Sequence, residues 1–202
     1  MRVLNLYAGL GGNRKLWKGV DVTAVESDPE IAKEYQSFYP EDRVVVGDAH
    51  SFLLDNIDEY DFIWSSPPCQ SHSKMARCNA KRQYPDMTLY EEILLLQYEA
   101  TCPWVVENVV PFYGQLIPGQ KVGRHIIWAS FEIKPFNVPE FPDIMSANNE
   151  LEREELMSWL GIRPSKNLYY NGNHNPAQVL RNCVHPRIGF HLFLQGTAGA
   201  RA

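Results

Sequence analysis

Three short segments carry residue types that could do chemistry together. Pro67-Pro68-Cys69-Gln70 offers a thiol on a turn stiffened by two prolines, neither of which has a backbone N–H to donate. The thiolate is the nucleophilic form of cysteine, and nearby positive charge favours it. Lys74, Arg77, Lys81 and Arg82 follow closely and form the basic cluster of this chain. Glu107-Asn108-Val109 ends the apolar run Trp104-Val105-Val106 and brings a carboxyl, while Asn108 can fix its own loop by side-chain-to-backbone bonds. Ahead of both, Tyr7-Ala8-Gly9-Leu10-Gly11-Gly12 is a strand feeding a glycine turn whose amides can approach a ligand closely. A nucleophile, an acid and a cofactor cradle on successive strand ends describe covalent catalysis at one edge of a sheet.

The glycine spacing narrows the cofactor. A pyrophosphate cradle usually spaces its glycines G-x-G-x-x-G at a helix start. Here they fall at Gly9, Gly11 and Gly12, with no third glycine at the helix and no P-loop lysine. The next strand ends at Val25-Glu26, where a carboxylate can bond both ribose hydroxyls of an adenosine. Asp48, after Gly47, can receive the exocyclic amine of adenine. An adenosine without phosphates points to S-adenosylmethionine.

Elements able to position these groups alternate through the first two thirds of the chain. Strands are predicted near 2–7, 22–26, 43–46, 60–64, 103–106 and 125–130, with helices near 13–18, 28–38, 51–57 and 88–100. Thr88 is placed as the N-cap of the last helix, with Glu91 three residues on. Such alternation predicts an α/β fold, a doubly wound and mostly parallel sheet in one compact domain. Residues 70–87 are polar, basic and aperiodic, a long loop of the functional kind, and 134–149 hold three prolines and no clear element. His125 and His174 read as surface or turn residues.

At 202 residues the chain can bury one core without staples. The four cysteines lack paired metal spacing, so no metal is expected and they read as free thiols. A net charge of −5 argues against nonspecific nucleic-acid binding, which puts the weight on the local basic cluster. No apolar run approaches a membrane span, and a first strand at Arg2-Val3-Leu4 leaves no room for a leader, so the expected compartment is the cytoplasm.

With these motifs in view, the chain resembles the DNA cytosine-5 methyltransferase family over most of its length. The family's cofactor loop matches Leu6 to Gly12, with Asn5 for the usual aspartate and Tyr7 for phenylalanine. Pro68, Cys69 and Gln70 match the nucleophile motif, Ser73 its later serine, and Glu107-Asn108-Val109 is intact. Gln120 and Arg124 match the Gln-x-Arg-x-Arg element, where Val122 replaces the first arginine. Arg153-Glu154 with Leu160-Gly161 is similar to the penultimate motif, and Asn182-Cys183-Val184 to the last, with Arg181 in place of glycine. Only about twenty residues, near 131–149, occupy the place of the family's large target-recognition domain.

The resemblance implies a Rossmann-like methyltransferase fold and transfer of a methyl from S-adenosylmethionine to C5 of a flipped cytosine in DNA. In that scheme Cys69 attacks C6, Glu107 bonds N3 and the exocyclic amine, Arg124 holds the O2 edge, and Gln70 and Asn108 complete the catalytic set. Tyr7, Gly9, Leu10, Gly11, Gly12, Glu26, Asp48, Pro68, Asn182 and Val184 would hold the cofactor, the last two on a segment near 177–195 that folds back. Ser73, Lys74, Arg77, Lys81 and Arg82 would meet DNA phosphates. The host would be a prokaryotic or phage-infected cell, in a setting such as restriction-modification. Alternatives are a transfer-RNA cytosine methyltransferase, a non-catalytic relic that binds cofactor or DNA, and a subunit whose recognition module comes from a protein partner.

Overall fold

Five apolar segments up to residue 109 become parallel strands; four of them are almost wholly buried on both faces, as continuous apolar runs permit, and the one at 43–46 is a half-exposed edge. A computed structural model of the chain describes residues 1–74, 84–144, 149–170 and 175–199. The strands are β1 (Arg2–Leu6), β2 (Asp21–Glu26), β3 (Arg43–Val46), β4 (Phe62–Ser65), β5 (Trp104–Val109), β6 (Gln120–Val122) and β7 (His125–Ala129). They form one sheet in the order β3-β2-β1-β4-β5-β7-β6. Pairing is parallel from β3 through β5, while β7 runs antiparallel to both β5 and β6.

Helices cover both faces: α1 (Pro29–Phe38), α2 (Ala49–Asn56), α3 (Thr88–Glu99), α4 (Asn149–Leu160), α5 (Ala177–Arg181) and α6 (Pro186–Thr197). Alternation along the strands divides the core. Leu4, Leu6, Ile63 and Val106 pack with Leu53 of α2 and with Leu89, Ile93 and Leu96 of α3. Val3, Phe62, Trp64 and Val105 face the other way, against Trp17 and Ile188, Leu192 and Phe193 of α6. A third cluster joins Leu10 and Ile31 to Leu156 and Leu160 of α4 and Leu180 of α5. Among the described residues no helix is long and apolar enough to cross a membrane.

Two expectations need correction. Residues 13–18 are a chain of turns, not a helix, with Arg14 N–H donating to Gly11 O (3.1 Å) and Trp17 N–H to Arg14 O (3.0 Å). The Asn13 side chain is drawn to Asn5 Oδ1 (2.7 Å) and the Trp17 indole to Gly189 O (3.1 Å), which favours tight turns over a helical ladder. Thr88 is the first residue of α3 rather than its cap, because the Asp86 carboxylate accepts from Thr88 N–H (3.1 Å). β6 and the last three helices were not foreseen from sequence. The predicted insert has no regular secondary structure over its described part, 131–144.

The chain runs from β1 outward to β3, then returns to β4 on β1's other side. β1 and β4 stay paired to Leu6 and Ser65, but the chain leaves their carboxyl ends toward opposite sides, and such a switch point opens a ligand crevice.

Candidate active site

Loops leaving strand ends and the segment between α5 and α6 form the walls of the crevice. After β1, Tyr7 takes φ +54° and Gly9 and Gly11 take +53° and +71°, so the chain coils back on itself. A β-carbon on Gly11 would strike the rings of Tyr35 and Tyr39, and one on Gly12 would strike the carbonyl of Val184. The loop is thus pressed between α1 and the segment joining α5 to α6. Glu26 braces it: its Oε2 accepts from Gly9 N–H (2.9 Å) and its Oε1 from Asp28 N–H (3.0 Å).

After β4, Pro67 O accepts from Asn108 Nδ2 (2.9 Å), and the Asn108 Oδ1 accepts from Val109 N–H (2.9 Å). Asn108 is therefore a clamp between the Cys69 loop and β5. Cys69 O accepts from both His72 and Ser73 N–H at 3.0 Å, which turns the chain sharply behind the thiol. Burial pushes the Cys69 thiol up to about 11, the Glu107 charge adds to that, and Arg124 opposes it. Positive charge near Cys69 was expected to favour the thiolate; desolvation outweighs it, and the resting group is a thiol.

Glu107 is 6% exposed and its Oε1 is bonded to His125 Nδ1. Arg124 reaches in from the β6–β7 turn, its guanidinium 4.2 Å over the Phe141 ring and its Nη2 donating to Arg181 O. Arg181, which stands where the family has glycine, is itself held by Glu152 of α4 and by Gln178 Oε1 (3.1 Å).

One cleft is lined by Tyr7, Gly9, Leu10, Gly12, Glu26, Pro68, Cys69, Gln70, Glu107, Asn108, Arg124, Asn182 and Val184. Four described candidates stand outside that lining. Gly11 is turned toward Tyr35 and Tyr39. Asp48 caps α2, accepting from Ser51 N–H (2.7 Å), and lines a neighbouring hollow with Tyr7, Pro67 and Pro68. Ser73 and Lys74 lie beyond the cleft at the start of the basic loop. Arg77, Lys81 and Arg82, like His174, fall outside the described residues.

Three groups escaped the sequence reading. His125 was assigned to the surface but is 2% exposed and paired with Glu107. Tyr170 lines the cleft, and burial, with Glu26 nearby, pushes its phenol up. Glu92 of α3 is fully buried, bonded by the Tyr7 hydroxyl, the Ser65 hydroxyl (2.6 Å) and His50 Nδ1 (3.2 Å). The only sequence signal for it was an acid on the apolar side of a helix. Among the described residues no three His, Cys, Asp or Glu side chains gather to hold a metal.

The architecture has known counterparts. The Entamoeba histolytica methyltransferase EhMeth is 13% identical, with the comparison covering 100% of this chain and 99% of that one at a TM-score of 0.58, so the fold is shared. A DNMT2 variant from Spodoptera frugiperda is 23% identical over 57% of this chain, TM-score 0.41. A protein described as a DNA modification methyltransferase encoded within an E. coli prophage is 23% identical over 57%, TM-score 0.39. The matches span 37% and 34% of those two chains. No curated protein matches the chain. The family model for C-5 cytosine-specific DNA methylases matches residues 1–113, more than half the chain and both the glycine loop and the Cys69 and Glu107 motifs, and the chain belongs to that family.

Proposed function

We propose that this protein methylates C5 of cytosine in DNA through a covalent adduct with Cys69. The observation that carries this reading is the meeting of Cys69, Glu107 and Arg124 in one cleft with the glycine loop. The methyl donor is S-adenosylmethionine, and the cradle suits it. Glu26 faces the cleft, Gly9 presents no side chain to it, and the Tyr170 hydroxyl stands 3.8 Å from where a Gly9 β-carbon would lie. Asn182 and Val184 would close the same wall. Asp48, in the adjoining hollow beyond Tyr7 and Pro68, would receive the adenine amine.

The chemistry needs a strong nucleophile only once substrate is in place. With a cytosine in the cleft, Sγ of Cys69 adds to C6 as its proton passes by way of the Glu107 carboxylate to N3, where the ring electrons move. Proton loss at sulfur balances proton gain at nitrogen. Arg124, fixed by Phe141 and Arg181 O, would hold the O2 edge. The methyl group that C5 takes up comes from S-adenosylmethionine, which supplies it as an electrophilic sulfonium methyl. Loss of the C5 proton to water then re-forms the C5–C6 double bond and expels the Cys69 thiolate, which regains its proton from N3 by way of Glu107.

A base stacked in a duplex is out of reach of such a cleft, so the target must be flipped out. Ser73 and Lys74, with Arg77, Lys81 and Arg82 further along the loop, would take the flanking phosphates. The whole chain would act as one methyltransferase domain. Phe141 lies under Arg124 and Phe136 stacks on His191 at 4.8 Å, which supports the reading of 131–149 as a short insert laid against the core. So small an insert favours a protein partner that supplies sequence recognition.

The test is trapping on DNA containing 5-fluorocytosine with the cofactor present. The fluorine blocks the final elimination, so the wild type should form a stable adduct and Cys69→Ser none. Transfer RNA carrying the same base runs in parallel; an adduct there and none on DNA would move the assignment to RNA. No adduct on either would overturn the reading.

A further inference from the structure

We infer that His125 is a positioning residue that pins the Glu107 carboxyl and reserves its second oxygen for the substrate ring, an inference that rests on the methyl-transfer reading. The register of the sheet makes the pairing. Val109 stands opposite His125 and Glu107 opposite Ile127, so Glu107 and His125 are diagonal neighbours on one face of the β5–β7 ladder. Both side chains line the cleft, and His125 Nδ1 meets Glu107 Oε1.

The partnerless atom of the ring decides its form. His125 is 2% exposed and its Nε2 has no hydrogen-bond partner among the described residues. A buried N–H without an acceptor is rarer and costlier than a bare lone pair. The neutral ring protonated at Nδ1 fits this site, with Nδ1–H donating to Oε1. Oε1 is then occupied as an acceptor, so a proton held by Glu107 resides on Oε2, the oxygen left for N3 of the base.

Pinning also removes the torsional freedom that a glutamate would otherwise lose during reaction. The other ionisable groups around the pair are Arg124 from the β6–β7 turn, Cys69 from the loop after β4 and Cys183 from the end of α5. Among the described residues, His125 is the group bonded to Oε1, and it sets the carboxyl's orientation.

Two variants separate this role from packing. His125→Leu keeps an apolar side chain and removes the donor, whereas His125→Asn places an amide N–H near the position of Nδ1. Rates of adduct formation on 5-fluorocytosine DNA, kcat and KM for DNA across pH, cofactor affinity and melting temperature are measured for each. His125→Leu should lose roughly 10- to 100-fold in kcat, with cofactor affinity kept and an altered pH–rate profile. His125→Asn should recover most of the rate and the wild-type profile. A folded His125→Leu with wild-type kcat and profile overturns the inference, as does a folded His125→Asn that falls as far as leucine. A wild type that forms no adduct overturns the methyl-transfer reading instead, and the role in it.

Discussion

Two buried glutamates flank the end of β4, and the contrast between them separates architecture from chemistry. Glu92 is met by Tyr7, Ser65 and His50, so both of its oxygens are engaged within the fold. Glu107 is met by His125 on one oxygen and lines the cleft. The first ties the cofactor loop, β4 and α2 to α3. The second is satisfied only halfway and offers the rest to a ligand. Sequence marked Glu107 by its motif and passed over Glu92; the hydrogen-bond partners explain why the two differ.

Exchanging each carboxylate for a neutral group should sharpen the contrast. Glu107→Gln should cut turnover by about 10²- to 10⁴-fold, the usual worth of a positioned acid, with little change in melting temperature. Rapid-quench measurement of methyl transfer beside calorimetry checks both halves; a large loss of stability would blur the distinction.

Glu92→Leu should do the reverse. It strands the buried Tyr7 and Ser65 hydroxyls, at about 1–3 kcal/mol each, while Glu92→Gln keeps an acceptor and should lose less. Burial raises the Glu92 carboxyl above its ordinary 4.5, partly offset by Ser65, Tyr7 and His50. The folded state therefore holds that proton more tightly than the unfolded chain. Stability from this source is present on the acid side and is lost as pH climbs through the window above the ordinary value. Urea unfolding from mildly acid to neutral pH should show that slope in the wild type, and Glu92→Gln should flatten it.

The smallest effect concerns the resting thiol. With Cys69 pushed up to about 11 by burial and Glu107, its alkylation by iodoacetamide should be slow at neutral pH and speed up as pH rises toward that value. Peptide mass spectrometry reads the modified residue. Fast labelling at neutral pH would mean that Arg124 outweighs burial and Glu107 together at the sulfur.

What sequence disclosed was local in origin. Strand ends at Leu6, Glu26, Ser65 and Val109 follow from short apolar runs punctuated by glycine or proline, and the nucleophile and acid motifs sit on two of those ends. Groups that depend on distant pairing were hidden. His125 became part of the site only through the β5–β7 register, and Glu92 only through contacts from Tyr7, His50 and Ser65. The turns at 13–17 misled because Asn13 and Trp17 bond to partners far along the chain. α5 is a five-residue helix, too short for periodicity to betray.

The contact between Gly12 and the carbonyl of Val184 joins the loop after β1 to the segment ahead of α6, and Gly189 of α6 lies against the backbone of Asn13 beside it. A single proteolytic nick ahead of α5 would therefore part Gly12 from Val184 while Cys69 and Glu107 stayed on one piece.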